Sequence, residues 1–248
     1  MRNRFQAKDP KSWALKFHAQ TAGSTLTAQQ PENNVVRVTL QALAAVLGGT
    51  QSLHTNGSDE ALGLSTDDTA RVALRTQQII GFESGVTNTV DPLAGSYVIE
   101  ALTLELEKLC LKYLTEIEAR GGTVKCIENG YIQNEILNSA YRDQRAVEKG
   151  EMKVIGVNCF KDESSKKTQV LKIDPALELD AVKKLRAFKN KRNNSNVEAS
   201  LKSLKIGAAS NGNLQSLILE SARMGATLGE ISTTLREVFG EYREYSKF

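Results

Sequence analysis

The chain has 248 residues, of which 40% are hydrophobic and 25% are charged, a composition typical of a soluble globular protein. Its net charge is only +3, no basic run is interleaved with aromatic residues, and no apolar run reaches the roughly 18 residues of a membrane span. Neither nucleic acid nor a membrane is therefore an expected partner. Three cysteines without a C-x-x-C pair, two isolated histidines and no recognisable signal peptide favour a cytoplasmic protein without a metal site.

The first 100 residues predict two successive units, each a short strand followed by a helix with an apolar stripe. Glycines stop both helices, and acidic residues follow the predicted cap of the second. This order is typical of parallel β/α units. The predicted elements are a strand at 17–21, a helix from Asn33 and Asn34 to Leu47, a strand at 50–55, a helix from the cap at 65–68 to Gly85, and a loop at 91–97.

The remainder of the chain is rich in charged residues, and its apolar residues recur mostly at the spacing of a helix. Thr227 and Glu230 form a capping-box pattern at the start of the last helix. The chain is therefore predicted to divide into β/α units at 1–100 and a mainly helical extension at 101–248. The predicted elements are helices at about 97–120, 134–148, 175–190, 196–208, 214–222 and 227–245, and one strand at 152–157.

The two early strands have an unusual composition. Strands of a parallel sheet are buried on both faces and are normally rich in Val, Ile and Leu, whereas these read HAQT and TQSLHT. A buried polar group without a partner costs about 1–3 kcal/mol. One interpretation is that both segments are polar surface loops. The flanking helices need a sheet to cover, which favours strands that line a polar channel, unlike the apolar centre of an ordinary barrel.

Four stretches resemble the adenosylcobalamin-dependent acyl-CoA mutases of the methylmalonyl-CoA mutase type. These are His18–Ile80, which contains the specific pattern GGTQSLHTN…DEAL, then Glu83–Glu100, Val154–Phe160 and Leu228–Tyr242. The resemblance implies an α/β fold, the C-terminal part of a (β/α)8 TIM barrel followed by a mainly helical extension. It also implies that acyl-CoA lies along the barrel axis and that adenosylcobalamin is carried by a separate domain or subunit.

The implied activity is an isomerase reaction, the radical carbon-skeleton rearrangement that interconverts methylmalonyl-CoA and succinyl-CoA. Carried over by position, the resemblance implies substrate contacts and cofactor contacts but no catalytic residue and no cobalt ligand on this chain. The residues implied are His18, Gln20 and Gln51 for the substrate, and Gly23, Glu60, Ala61 and Gly63 for the cofactor. By contrast, His54, Glu83 and Asp91 are interpreted as structural.

Two departures from the family pattern bear on substrate and partners. Ser24 stands where many methylmalonyl-CoA mutases have Trp, so isobutyryl-CoA or another branched acyl-CoA stays open as substrate. The family's substrate-binding arginine, its radical-side tyrosine and its D-x-H-x-x-G cobalamin signature are absent from this sequence. The chain is therefore expected to be a split subunit that is active only with the N-terminal half of the barrel and a cobalamin-binding subunit. A catalytically inactive fragment with a structural or interaction role is the remaining alternative.

Overall fold

The computed structural model describes residues 1–162, 170–210 and 212–243, and helices make up most of these ranges. The chain divides into two compact units, Met1–Leu171 and Lys172–Phe248. The first unit holds both polar segments that the sequence predicts to be strands. No helix in the described ranges is long and apolar enough to cross a membrane.

Two short parallel strands form the sheet of the first unit. Strand β1 (Ala19–Gln20) pairs with strand β2 (Leu53–His54), with Ala19 opposite Leu53 and Gln20 opposite His54. Both strands lie inside the predicted segments, although each is shorter than predicted. This arrangement agrees with the predicted α/β class, while the (β/α)8 barrel, the helical extension and the division at residue 100 stay predictions.

A helix follows each strand, and the two helices pack against each other. Their buried side chains recur every three or four residues, as one face of a helix requires. The helices to this point are α1 (Arg2–Phe5), α2 (Asn34–Leu47) and α3 (Asp67–Glu83). The residues that α2 and α3 bury are Asn34, Val38 and Ala42 in α2 and Ala73, Thr76 and Ile80 in α3.

Three further helices follow in the described part of the first unit, α4 (Tyr97–Ala119), α5 (Thr123–Glu128) and α6 (Tyr131–Glu148). Two successive glycines, both with φ of 95°, separate α4 from α5. The left-handed region suits glycine, which explains why this pair ends the helix as predicted. In contrast to α2 and α3, the long helix α4 buries none of its side chains.

The sequence predicts a strand at 152–157, and this prediction is wrong. The structure has a turn there with one isolated bridge. The Asn158 side chain accepts a hydrogen bond from Val154 N at 2.7 Å and donates one to Met152 O at 2.7 Å. Because Asn158 satisfies these backbone groups locally, the apolar run closes into a turn without a neighbouring strand.

The structure adds a helix that the sequence did not predict and moves the ends of others. Helix α5 was not predicted, and its six residues are too few to show an apolar period. Helix α6 begins three residues earlier than predicted, directly after Gly130, whose φ is 77°. The last helix ends at Phe239 because Gly240 takes φ of 73°, and the predicted end at Tyr245 lies outside the described residues.

The second unit consists of helices in its described part. Helix α8 packs on both α9 and α10, and their shared core is small and apolar. The helices are α7 (Pro175–Lys191), α8 (Asn194–Ala208), α9 (Leu214–Arg223) and α10 (Leu228–Phe239), and the buried apolar residues are Val197, Leu204, Ala208 and Ile231. The predicted capping box is confirmed, since Thr227 and Glu230 cap each other's backbone N–H groups.

Glu230 ties the end of α7 to the start of α10 through ion pairs with Arg192 and, at 3.2 Å, with Lys189. The guanidinium of Arg192 donates two hydrogen bonds to the Glu230 carboxylate, at 2.7 and 2.6 Å. The hydrogen bond from Arg192 is the main cause that holds the pKa of Glu230 well below its ordinary range, against the opposing effect of burial. Glu230 therefore serves a helix cap and an inter-helix contact at once.

Candidate functional site

Polar side chains follow both strands at their carboxyl ends. Past β1 the backbone pairing continues, since Thr21 N donates to His54 O at 3.1 Å. Thr21 is only 5% exposed, and Asn56, two residues after β2, is only 2% exposed. Because the carboxyl ends of parallel strands share one edge of a sheet, the turn after β1 lies beside the turn after β2.

Asn56 joins these two strand ends. Its backbone N–H donates to Thr21 Oγ1 at 3.0 Å, and its side-chain Nδ2 donates to Thr21 O at 3.1 Å. Its Oδ1 accepts a hydrogen bond from Nε2 of Gln20 at 2.9 Å. The predicted substrate residue Gln20, which is exposed, is therefore held by a buried amide.

The turn after β1 carries Gly23, and the side chain of Gln41 on α2 holds this turn. Gln41 Oε1 accepts a hydrogen bond from Ala22 N at 2.6 Å. A Cβ atom placed on Gly23 would lie 3.0 Å from Asn56 Nδ2 and 3.5 Å from Glu60 Oε1. The missing side chain of Gly23 thus leaves open a space that Asn56 and Glu60 border.

The turn after β2 carries Glu60 and is held by its buried neighbour Asp59, which is 1% exposed. Asp59 Oδ2 accepts hydrogen bonds from Thr66 N at 2.9 Å and from Thr69 Oγ1 at 2.7 Å. Burial raises the pKa of the Asp59 carboxyl, but the hydrogen bonds from Thr69 and Thr66 outweigh it and leave the pKa below its ordinary value. Asp59 is therefore a charged anchor between this turn and the start of α3.

The three predicted cofactor residues of this turn, Glu60, Ala61 and Gly63, are all exposed. The Glu60 carboxylate makes no hydrogen bond or ion pair with a described residue. At the base of the turn a Cβ atom on Gly57 would lie 2.3 Å from Ser65 Oγ, so only glycine fits there. The tight turn presents Glu60 outward with its carboxylate unengaged.

The other two predicted substrate residues lie at the opposite, amino ends of the strands. His18 Nδ1 is 2.7 Å from Ser52 Oγ. Gln51 accepts a hydrogen bond from Phe17 N and donates one to Leu15 O, both at 2.9 Å. Gln51 thereby fixes the segment that enters β1. The structure brings Gln20, Gly23 and Glu60 together at the carboxyl ends of the strands, whereas His18 and Gln51 lie apart from them at the amino ends.

The comparisons with known proteins agree with one another. The family model described as methylmalonyl-CoA mutase matches residues 1–241. The chain belongs to the methylmalonyl-CoA mutase family. It is 45% identical, over all of its length, to the 2-hydroxyisobutanoyl-CoA mutase large subunit of Aquincola tertiaricarbonis. It is also 45% identical over 96% of its length to the methylmalonyl-CoA mutase of Escherichia coli strain K12, and 42% identical over 96% to the mitochondrial methylmalonyl-CoA mutase of Homo sapiens.

The chain spans less than half of each of these relatives. It covers 44% of the Aquincola subunit, 34% of the Escherichia coli enzyme and 32% of the human enzyme. All of the predicted site residues fall inside the part that the methylmalonyl-CoA mutase family model matches.

A pocket of about 240 Å³ opens between β2 and α3 in this mutase-family chain. His54, expected from the sequence to be structural, lines it together with Glu60. Gln77 of α3 lines it as well and donates to Thr55 Oγ1 at 2.9 Å. Among the described residues, no cluster of three or more His, Cys, Asp or Glu side chains could hold a metal ion.

Sequence reasoning missed Asn56, Asp59 and Gln41. Asn56 and Asp59 lie inside the specific pattern HTN…DEAL, which could have pointed to them. The pattern alone, however, does not show which of its residues are buried. Gln41 is one polar residue on a largely apolar helix stripe and carries no such signal. Each of the three orders a turn that carries a predicted ligand residue.

Proposed function

We propose that this chain supplies part of the acyl-CoA channel and part of the adenosyl site of a cobalamin-dependent mutase. The reaction is the interconversion of methylmalonyl-CoA and succinyl-CoA, an isomerisation of the carbon skeleton. The observation that supports it best is the placement of Gln20, Gly23 and Glu60 around buried Asn56, at the carboxyl ends of two parallel strands. In β/α barrels this is the end where active sites are built.

The polar strand segments suit a channel that takes the arm of CoA. Gln20 is exposed with its carbonyl oxygen unpaired among the described residues, so it can accept a hydrogen bond from an amide N–H or hydroxyl of the pantetheine arm. His18 and Gln51, at the other end of the strands, are exposed as well. An arm that runs parallel to the strands would pass Gln51 and His18 before it reaches Gln20.

The residues after the strands fit adenosylcobalamin. Gly23 offers a surface without a side chain, beside which the unengaged carboxylate of Glu60 can accept hydrogen bonds from ribose hydroxyls. Ala61 and Gly63 add no bulk on the exposed side of that turn. When bound, the cofactor supplies the radical chemistry. The role of this chain is to hold the adenosyl group and to exclude water.

Two surfaces support the participation of other protein segments. Each strand of the two-stranded sheet pairs only with the other in the described part of the chain, so both outer edges are open. Open strand edges pair readily with further strands. Helix α4 also exposes large apolar side chains along most of its length, from Tyr97 to Leu114. The complement we propose is the N-terminal half of the barrel together with a cobalamin-binding subunit, and we call the three together the assembled protein.

The decisive experiment is a mutase assay on the assembled protein with adenosylcobalamin. Succinyl-CoA and methylmalonyl-CoA are expected to interconvert, and omission of this chain is expected to abolish turnover. A correctly assembled complex without turnover would contradict the proposal and favour a purely structural role. A chain that is by itself a monodisperse, cooperatively unfolding monomer would argue against an obligate partner.

The Glu60 contact has its own test. Glu60→Gln is expected to weaken cofactor affinity about tenfold, since it replaces a charged hydrogen-bond acceptor with a weaker, neutral one. Glu83→Gln is the matched control, because Glu83 is an exposed glutamate at the end of α3. Equal cofactor affinity in the Glu60→Gln variant and the wild type would remove Glu60 from the adenosyl site.

A different acyl-CoA is the second candidate substrate. Ser24 follows Gly23 in the same exposed turn, where many relatives of this type carry Trp, and a serine leaves more room. The similarity to a 2-hydroxyisobutanoyl-CoA mutase subunit points the same way. Comparing kcat/KM of the assembled protein for methylmalonyl-CoA, isobutyryl-CoA and 2-hydroxyisobutanoyl-CoA decides between these substrates.

A further inference from the structure

The hydrogen bonds of Asn56 determine which way round the Gln20 amide lies. Thr21 O can only accept, so the Asn56 atom that faces it, 3.1 Å away, must be the Nδ2 donor. Asn56 Oδ1 then faces Gln20, whose nearest atom, 2.9 Å away, must in turn be the Nε2 donor. The carbonyl oxygen of Gln20 is left at the opposite side of its amide.

Burial makes this orientation strongly preferred. Asn56 is 2% exposed, so a reversed amide would set its oxygen against Thr21 O with no water to separate them. Gln20 by contrast is exposed, and without Asn56 its amide could turn either way and bond to water. The buried carbonyl of Thr21 therefore fixes the orientation of the Asn56 amide, and Asn56 in turn fixes the orientation of the exposed Gln20 amide.

We propose that Asn56 is a positioning residue that fixes Gln20 as a hydrogen-bond acceptor for the CoA ester. This inference rests on the proposed function, because it assumes a CoA ester beside Gln20. The pantetheine arm of CoA carries amide N–H groups and a hydroxyl, each of which can donate to the Gln20 oxygen. Asn56 orders that oxygen before the ester arrives, and preorganisation of this kind increases affinity.

The test is a double-substitution cycle on the affinity of the assembled protein for succinyl-CoA, measured by calorimetry without cobalamin. Gln20→Ala and Asn56→Ala are each expected to raise Kd about 5- to 10-fold. The double variant is expected to show no more than the larger single effect, because Asn56 acts through Gln20. Single effects that multiply in the double variant would overturn the inference.

A second variant separates the oxygen of Gln20 from its bond to Asn56. Gln20→Glu keeps an oxygen that can face the ligand but cannot donate to Asn56 Oδ1. It is expected to bind succinyl-CoA as weakly as Gln20→Ala, and adding Asn56→Ala is expected to recover about 3-fold by removing the repulsion between the two oxygens. Wild-type affinity in the Gln20→Glu variant would also overturn the inference.

Asn34→Ala is the matched control for loss of a buried amide. Asn34 is fully buried and bonds to Thr27 and Ser58, but it does not contact Gln20. In the Asn34→Ala, Gln20→Ala double variant, the two changes in Kd are expected to multiply. If Asn34 were coupled to Gln20 as strongly as Asn56 is, the inference would be overturned. Circular dichroism establishes that each variant is folded. A wild-type assembly that binds no succinyl-CoA would overturn the proposed function itself, whereas binding with multiplicative effects overturns this inference alone.

Discussion

Buried polar side chains do different work in the two units of this chain. In the second unit, the hydroxyls of Ser221 and Thr234 donate to the carbonyl oxygen four residues earlier in their own helices, both at 2.9 Å. In the first unit, Thr76 bonds within its own helix in the same way, whereas Asn34, Asn56 and Asp59 bond to other segments of the chain. The former bonds follow from helix formation, while the latter determine how segments are placed.

The difference shows where a binding site can be built. A helix whose buried hydroxyls bond to its own backbone needs only an apolar partner, and Leu204 and Val197 provide such a core in the second unit. Turns have few apolar side chains to fix them, so buried amides and carboxylates order the turns of the first unit. A turn ordered in this way can leave neighbouring side chains such as Glu60 unengaged.

The largest effect on stability is expected from a cross-linking amide. Asn34→Ala leaves Thr27 N, Thr27 O and Ser58 O without their partner, and it should lower the free energy of unfolding by about 3 kcal/mol. Ser221→Ala in the second unit is the control and should cost about 1 kcal/mol or less, since its hydroxyl bonds only within α9. Urea denaturation measures both, and equal losses would break the contrast between the units.

In the second unit, ion pairs also join segments, and those of Glu230 join the end of α7 to the start of α10. Glu230→Gln keeps the shape of the side chain but removes its charge, and it should cost about 2 kcal/mol. Glu237→Gln, which removes an exposed pair with Lys205, should cost about 0.5 kcal/mol or less. If the two variants unfold at the same urea concentration, the cap at α10 is no stronger than a surface pair.

Acid should weaken one anchor in each unit. The pKa values of Asp59 and Glu230 are both lower in the folded chain than in the ordinary carboxyl. Their contributions are therefore fully present above the unfolded values, about 4, and are lost as pH falls through that range towards the lowered folded values. Urea midpoints at pH 7, 5, 4 and 3 measure the loss. The Glu230→Gln variant should lose less stability over this range than the wild type, and an equal loss would show that Glu230 does not contribute to it.

The smallest effect is expected at a residue beside one of the anchors. Glu60→Gln should change the free energy of unfolding by no more than about 0.5 kcal/mol, because Glu60 has no side-chain partner among the described residues. Thermal unfolding of this variant and of wild type measures the difference. A clear loss of stability would mean that Glu60 helps to hold its turn.

Apolar spacing and glycine positions were sufficient to predict α2 and α3, because helices show a local periodicity, and the alternation of strands and helices was sufficient to predict parallel strands. The same criterion failed at 152–157, where Asn158 closes an apolar run into a turn. The predicted ligand residues came from resemblance, whereas the role of Asn56 did not. Its bonds to Thr21 span 35 positions of the sequence, so a local sequence motif cannot reveal this contact.

The two acidic residues of the DEAL pattern differ in role, since one stabilises the turn and the other does not. Asp59 is buried and accepts hydrogen bonds from Thr66 and Thr69 at the start of α3. Glu60 is exposed, and its carboxylate has no partner in the described part of the chain. Position 60 can therefore be replaced, in evolution or by design, at almost no cost to folding, although position 59 cannot. Residue 60 of the proposed adenosyl site could therefore be varied while the fold of the turn stays unchanged.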